Sequence, residues 1–237
     1  VSADDLVHLT RDVAGVGTIE FVETPRKREY WLLPEDATRR QRMPSVTTIL
    51  RKTWPKPELL KWYARHGAET ETLLEQAAER GKAVHAFVEH YMTTGGLLAL
   101  AEFPTDHHPY LQGMAKFLWE YDPQPLAVER LICHPELHYA GRLDLIAELA
   151  GKPVLLDFKT NPGGRVYSEA HVQAAAYRMA DKRCGGEPID DVLLVGISSE
   201  GAYHPVPGAC DVAAKVWGCL LDSYGQMQRL ERELGAA

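Results

Sequence analysis

The run Val154-Leu155-Leu156-Asp157-Phe158-Lys159-Thr160 restricts what this chain can fold into more than any other stretch. Its apolar residues are those of a buried strand, yet it carries an acid and a base two positions apart. In a strand, side chains at i and i+2 point to one face, so Asp157 and Lys159 point the same way. Burying either charge costs several kcal/mol unless it is paired or bound to metal. Two more β-prone runs precede it, Leu126 to Cys133 and Tyr139 to Leu149, and Ala150-Gly151-Lys152 supplies the turn before Pro153 to Thr160. A hairpin centred on the Ala150–Gly151 bond places Asp144 directly opposite Asp157, with Cβ atoms about 5 Å apart. A slip of one residue would rotate Asp144 to the other face.

Two carboxylates that close repel, so one takes up a proton or a cation sits between them. A hard divalent ion suits the pair. Mg2+ accepts one or two carboxylates, a carbonyl and substrate phosphate, and the backbone carbonyl of Phe158 is placed to be the third ligand. Lys159 on the same face would steady the attacking water and offset charge developing on phosphorus. Each residue also has a purely structural reading: an exposed i, i+2 ion pair for Asp157 and Lys159, and a strand-end aspartate bonded to the turn or to Arg142 for Asp144. Against the exposed pair, Leu155 shares its face and the other face is wholly apolar.

The remaining elements follow from pattern and punctuation. Thr18 to Glu23 and Arg28 to Leu33 read as a hairpin around Thr24-Pro25-Arg26-Lys27. Ser45 is a candidate N-cap for a short helix ending before Pro55, and hydroxyls with free N–H groups at a helix start, set among arginines, make a phosphate seat. Pro57 opens a helical region with Leu60, Trp62 and Tyr63. A second helix runs from about Glu71 to Thr93-Thr94-Gly95-Gly96. Within it, Gly81 marks a place where something packs close to the backbone. His85 follows one turn on and Glu89 a turn beyond; alone, such a histidine reads as a core residue. His107 and His108 read as loop before a helix from Tyr110 to Tyr121. After Asn161-Pro162-Gly163-Gly164, Ser168 caps a helix that sets Gln173 and Tyr177 on one face. Val192 to Ile197 and Tyr203 to Val206 are further strands, and an amphipathic helix begins near Asp211.

The net charge of -7 hides an uneven distribution. Arg26 to Arg65 holds eleven basic residues against four acids, and so carries +7 while the rest carries -14. A basic face on an acidic body can bind a polyanion, or can simply be solvated. Cys133, Cys184, Cys210 and Cys219 lack metal-site spacing, which points to reduced thiols in an intracellular, cytoplasmic protein and to no iron-sulfur cluster. No apolar run reaches the roughly 20 residues of a membrane helix. The start at Val1 does not read as a targeting peptide and suggests light trimming. There is no G-x-x-x-x-G-K-[ST] loop of a motor.

Asp144, then Asp157-x-Lys159 on a hairpin, then Gln173-x-x-x-Tyr177 on a helix, with Arg80-Gly81-x-x-x-His85 and Pro44-Ser45-Val46-Thr47 upstream, resembles the RecB-like exonuclease branch of the PD-(D/E)XK nuclease superfamily. Phage-encoded RecB-type exonucleases and mitochondrial genome maintenance exonucleases share this order from about Pro44 to Tyr177. Asp stands at 157 where the signature often has Glu.

The resemblance implies a restriction-endonuclease-like α/β fold, a mixed central sheet flanked by helices with an N-terminal helical extension, as one domain over residues 1–237. Residues 1–42 would be the hairpin and basic segment, 43–125 the helical part and 126–237 the catalytic core. It also implies Mg2+ or Mn2+ on His85, Asp144, Asp157 and the Phe158 carbonyl, catalysis by Asp144, Asp157 and Lys159 with Gln173 and Tyr177 beside them, and DNA contacts from Ser45, Thr47, Arg80 and Lys82. Glu129 lies where many relatives carry a glutamate, without an assigned role. The expected activity is exonucleolytic hydrolysis of single-stranded DNA ends in replication, repair or recombination, leaving 5′-phosphate and 3′-hydroxyl. A separate helicase, recombinase or single-strand-binding protein is the expected partner. Trp54, Trp62 and Tyr63 are either stacking surfaces or core. The rivals are an endonuclease or flap nuclease of the same fold, and a DNA-binding or assembly subunit that does not cut.

Overall fold

The computed structural model describes residues 6–24 and 27–235. Its main sheet has the order β5-β6-β7-β8-β9, formed by Gln124–His134, Tyr139–Leu149, Lys152–Thr160, Asp191–Ile197 and Tyr203–Pro207. All neighbours are antiparallel except β7 with β8. A parallel pair needs a long crossover, and α5 (Ser168–Arg183) provides it. The tight β6–β7 turn uses left-handed backbone at both Ala150 (φ 49°) and Gly151 (φ 79°), the geometry that matches the twist of a two-residue hairpin loop.

Helices cover both faces, as the α/β reading of the sequence requires. On one side α1 (Val46–Thr53), α5 and α6 (Cys210–Glu233) bury Ile49, Leu50, Ala174, Ala175 and Trp217 against Leu155 and Leu194. On the other, α3 (Thr70–Thr94) and α4 (His108–Tyr121) bury Val84, Phe87, Met114 and Phe117 against Leu156 and Phe158. The side chains of β7 thus split by parity between two cores. This leaves Asp157 with Leu155 on the α5 side.

The N-terminal hairpin is half of a larger element. β1 (Val7–Val13), β2 (Gly17–Thr24), β3 (Lys27–Pro34) and β4 (Gln41–Met43) form an antiparallel sheet in chain order. Thr24 pairs with Lys27 as expected, and the turn residues Pro25 and Arg26 lie outside the described residues. Ile19, Phe21, Tyr30 and Leu32 pack this sheet onto Leu131, Cys133 and Ala140 of β5 and β6.

Several expectations are corrected. Ser168 is the first residue of α5; its N-cap position is Tyr167, with no side-chain cap bond. His108 opens α4, and His107 is buried in the short turn before it. A Cβ on Gly81 would lie 3.9 Å from Thr160 Oγ1, an ordinary contact, so nothing crowds that glycine. Gly95 ends α3 in the left-handed region at φ 75°, as its sequence suggests. No helix among the described residues is long and apolar enough to cross a membrane.

Candidate active site

β6 and β7 pair from Leu149 with Lys152 to Leu145 with Leu156. That is the register of a turn centred on Ala150–Gly151, and it stops one residue before Asp144 and Asp157. Beyond that point β7 continues alongside β8 and β6 alongside β5, so a gap opens between the two central strands. The carboxylates stand at the head of this gap. Asp144 Oδ2 accepts the backbone N–H of Phe158 at 3.2 Å. Asp157 is 1% exposed. Neither of its oxygens has a hydrogen-bond partner of acceptable geometry, although Lys159 Nζ lies 2.7 Å from Oδ2 as an ion pair.

A relay of side chains continues from the lysine to α5. Lys159 Nζ donates to Gln173 Oε1 at 3.2 Å, and Gln173 Nε2 donates to Tyr177 Oη at 2.9 Å. The i, i+4 spacing on the helix makes the second bond possible. Gly141 in β6 makes room for the ring, since a Cβ there would meet Tyr177 Cε1 at 2.7 Å. Gln173 and Tyr177 are thus linked to Lys159 through one chain of hydrogen bonds.

α3 brings His85 to the same place. Its Nδ1 is 3.5 Å from Asp144 Oδ1 and 3.6 Å from Glu129 Oε1. Glu129 is the residue that sequence reasoning left without a role. Val128 pairs with Leu145 and Arg130 with Leu143, so Glu129 faces Asp144 across β5 and β6. Its backbone is left-handed, φ 46°, a conformation costing on the order of 1 kcal/mol or more for such a side chain. Arg142 holds it from the other side, with Nε 2.7 Å from Glu129 Oε2 and the guanidinium over the Phe21 ring at 4.9 Å. No periodicity in the sequence announces this kink; the resemblance marked the position of Glu129, and the β5–β6 register gives it a place at the site.

The electrostatics are those of a site with excess acid. Burial raises the Asp157 carboxyl to about 6, opposed by Lys159 and reinforced by Asp144. The Asp144 charge raises His85 to about 9, against burial and with help from Glu129. Burial alone would lower the Lys159 ammonium, but Asp157 and Asp144 together outweigh it and raise it. Ligand atoms of His85, Glu129 and Asp144 lie within 4.8 Å of one another and could hold a metal ion. Asp157 Oδ1, buried beside them without any partner, adds a reason for a cation, because a buried acceptor without a donor is costly. A set rich in oxygen with one imidazole is of the kind that holds a divalent cation.

The other singled-out residues stand as follows. Ser45 Oγ caps α1 by accepting Thr48 N–H at 3.0 Å and lies 3.0 Å from Thr47 Oγ1. Ala140 N–H donates to Pro44 O at 3.0 Å, which docks this hydroxyl cluster on β6. Lys82 is exposed, while the Arg80 guanidinium is taken up by the Tyr110 ring at 4.6 Å. Part of the basic stretch is neutralised: Arg28 pairs with Glu23, Arg40 with Glu20, Arg42 with Glu29 and Lys56 with Glu169. Trp54 packs on the core. Trp62 and Tyr63, on α2 (Pro57–His66), do not; the Trp62 ring meets His66 in a tilted contact at 4.5 Å instead. Cys133 and Cys184, far apart in sequence, meet in the core as free thiols, with Cys184 Sγ donating to Cys133 O at 3.1 Å.

No family model matches the chain. A solved structure of a provisionally named exonuclease from Eubacterium rectale is similar at a TM-score of 0.45 and 13% identity, covering 67% of this chain and 69% of that one; a likeness that loose carries no argument. The chain is 30% identical over 216 residues to mitochondrial genome maintenance exonuclease 1 of Mus musculus, a match covering 80% of this chain. It spans 61% of that relative's length. Over four fifths of its length, then, this chain is similar to an exonuclease.

Proposed function

We propose that the chain is a divalent-metal-dependent deoxyribonuclease of the restriction-endonuclease-like class, acting from free ends of single-stranded DNA. The observation that carries this reading is the convergence of Asp144, Asp157 and Lys159 with His85 and Glu129 where β6 and β7 part. Likeness to an exonuclease supports it. His85, Glu129, Asp144 and Asp157, with the Phe158 carbonyl, would hold Mg2+ or Mn2+. Such an ion supplies Lewis acidity to a phosphoryl oxygen and acidifies water. Lys159, held by Gln173 and Tyr177, positions the attacking water and offsets charge on the phosphoryl oxygens. In-line displacement breaks the P–O3′ bond, leaving a 5′-phosphate on one fragment while the departing oxygen takes a proton.

Ser45 and Thr47, with Lys82 on α3, contact the DNA backbone in this reading. Arg80 flanks them from its seat on Tyr110. α2 fits end-threading, because it puts no side chain in the core among the described residues and carries the adjacent rings of Trp62 and His66. A separate helicase, recombinase or single-strand-binding protein would deliver ends inside the cell.

The test uses single-stranded, duplex and closed circular DNA labelled at either end where ends exist, with Mg2+, Mn2+ or EDTA. Metal-dependent degradation requiring a free end is expected, falling by at least about a hundredfold in Asp157→Ala and Lys159→Ala. Cutting of circles would make the enzyme an endonuclease. Tight binding without cleavage would make it an assembly subunit, and undiminished cutting by both variants would place the site elsewhere.

A further inference from the structure

Past Lys159 the site opens into a cleft of about 280 Å3, whose walls include Asn161, Tyr167, Glu169 and Gln173. The segment between β7 and α5 that forms one wall is the Asn161-Pro162-Gly163-Gly164 loop and its continuation to Tyr167. It is pinned rather than loose. Asn161 Oδ1 accepts Arg165 N–H at 2.9 Å and Asn161 Nδ2 donates to Arg165 O at 2.7 Å. Pro162 O accepts both the N–H and the hydroxyl of Ser199, each at 3.1 Å. A Cβ on Gly196 would meet Gly164 O at 1.9 Å, so strand and loop touch backbone to backbone. At the end of this fixed loop Tyr167 is 58% exposed, and its ring has the Arg165 guanidinium 5.6 Å from its centroid. An aromatic ring held rigid, wet and outside every core contributes little to folding.

The chemistry of the cleft selects what the ring would meet. Glu169 lines it and is held by Lys56 Nζ at 2.9 Å, while Lys159 is committed to Asp157 and Gln173. Apart from Lys159, which the nuclease reading assigns to the scissile phosphoryl group, no described lining residue is a cation, and the Glu169 carboxylate would repel a second phosphate. With the amides of Asn161 and Gln173 and the Glu169 carboxylate already engaged, the surface left to a ligand is the aromatic face, which fits an uncharged planar ring. Its volume is at the small end of ligand sites. We infer that the base of the nucleotide flanking the scissile phosphate stacks on Tyr167 in this cleft; this rests on the nuclease reading above. Tyr167 is then the residue that sets the reach of the last ordered nucleotide, and Asn161 is a positioning residue that holds it there.

Oligonucleotides carrying 2-aminopurine at successive positions from the end test this in EDTA, where cleavage is silent. The wild-type protein should quench fluorescence most at one position. Tyr167→Ala should remove that quench and raise Kd about 5- to 100-fold, while Tyr167→Phe keeps both. An abasic nucleotide at the same position should make wild type and Tyr167→Ala equal. Identical quench profiles and Kd values for wild type and Tyr167→Ala, with wild type cutting DNA, would overturn this inference alone. Failure of the wild type to bind or cut any DNA would overturn the nuclease reading and this inference with it.

Discussion

Asp157 and His85 both hold protons more tightly in the folded chain than in the unfolded one. Asp157 moves from 3.8 to about 6, through burial first, and His85 from 6.5 to about 9, through Asp144 first. A raised folded value stabilises the fold fully below the unfolded value, and the contribution is lost as pH climbs through the folded value. Stripped of divalent ions by EDTA, the protein should therefore lose Tm from about pH 4 to 6 through Asp157 and from about pH 6.5 to 9 through His85. A metal needs both groups deprotonated. Saturating Mn2+ should raise Tm little at about pH 5.5 and much more at about pH 8.5, read from thermal melts. Equal gains at both pH values would remove these two side chains from the ligand set. The β6–β7 register was legible in the sequence because a two-residue turn dictates it, but the parting of the strands one residue before Asp144 and Asp157 was not. Glu129 was marked by the resemblance but given no role, because its place depends on one left-handed residue that neighbouring side chains do not encode.

Among the elements, α5 does most for the site, and its role depends on a glycine in the strand beneath it. Tyr177 is nearly buried and its ring lies where a Cβ of residue 141 would be. Gly141→Ala should thus push the ring out of its seat rather than be absorbed. The expected cost is about 1–3 kcal/mol in urea unfolding, as for other overpacked sites, together with slower cleavage because Gln173 loses its anchor. An unchanged urea midpoint would show that the ring has somewhere else to go. The sequence made α5 readable through its Gln173-x-x-x-Tyr177 spacing, and misplaced its start by one residue because Ser168 looks like a cap. β1 escaped notice for the opposite reason. Val7, Leu9 and Val13 do alternate with polar residues, but most of the strand is exposed and Arg11 and Asp12 break the run.

For the whole molecule, the N-terminal sheet is part of the site's support. Phe21 backs Arg142, which holds Glu129. Arg11 reaches Leu131 O at 2.7 Å and, with Arg130 at 3.2 Å, faces the fully buried Asp181 of α5. Composition could show a basic stretch but not that the acids of β2 and β3 already meet several of its charges. The site is likewise assembled from distant parts. The β6–β7 hairpin needs only a short loop to close, whereas His85 and Glu129 arrive only when α3 and β5 have packed. Hairpins form in about 1–10 μs, and long-range docking comes later. Time therefore separates the ligands as space does in the unfolded chain: a cation that needs all of them meets a finished protein and grips it against opening. In stopped-flow unfolding, Mn2+ at about 100 times its Kd should slow the unfolding arm roughly a hundredfold and leave the refolding arm nearly unchanged. Refolding that accelerated instead would mean that the ligands gather before the fold does.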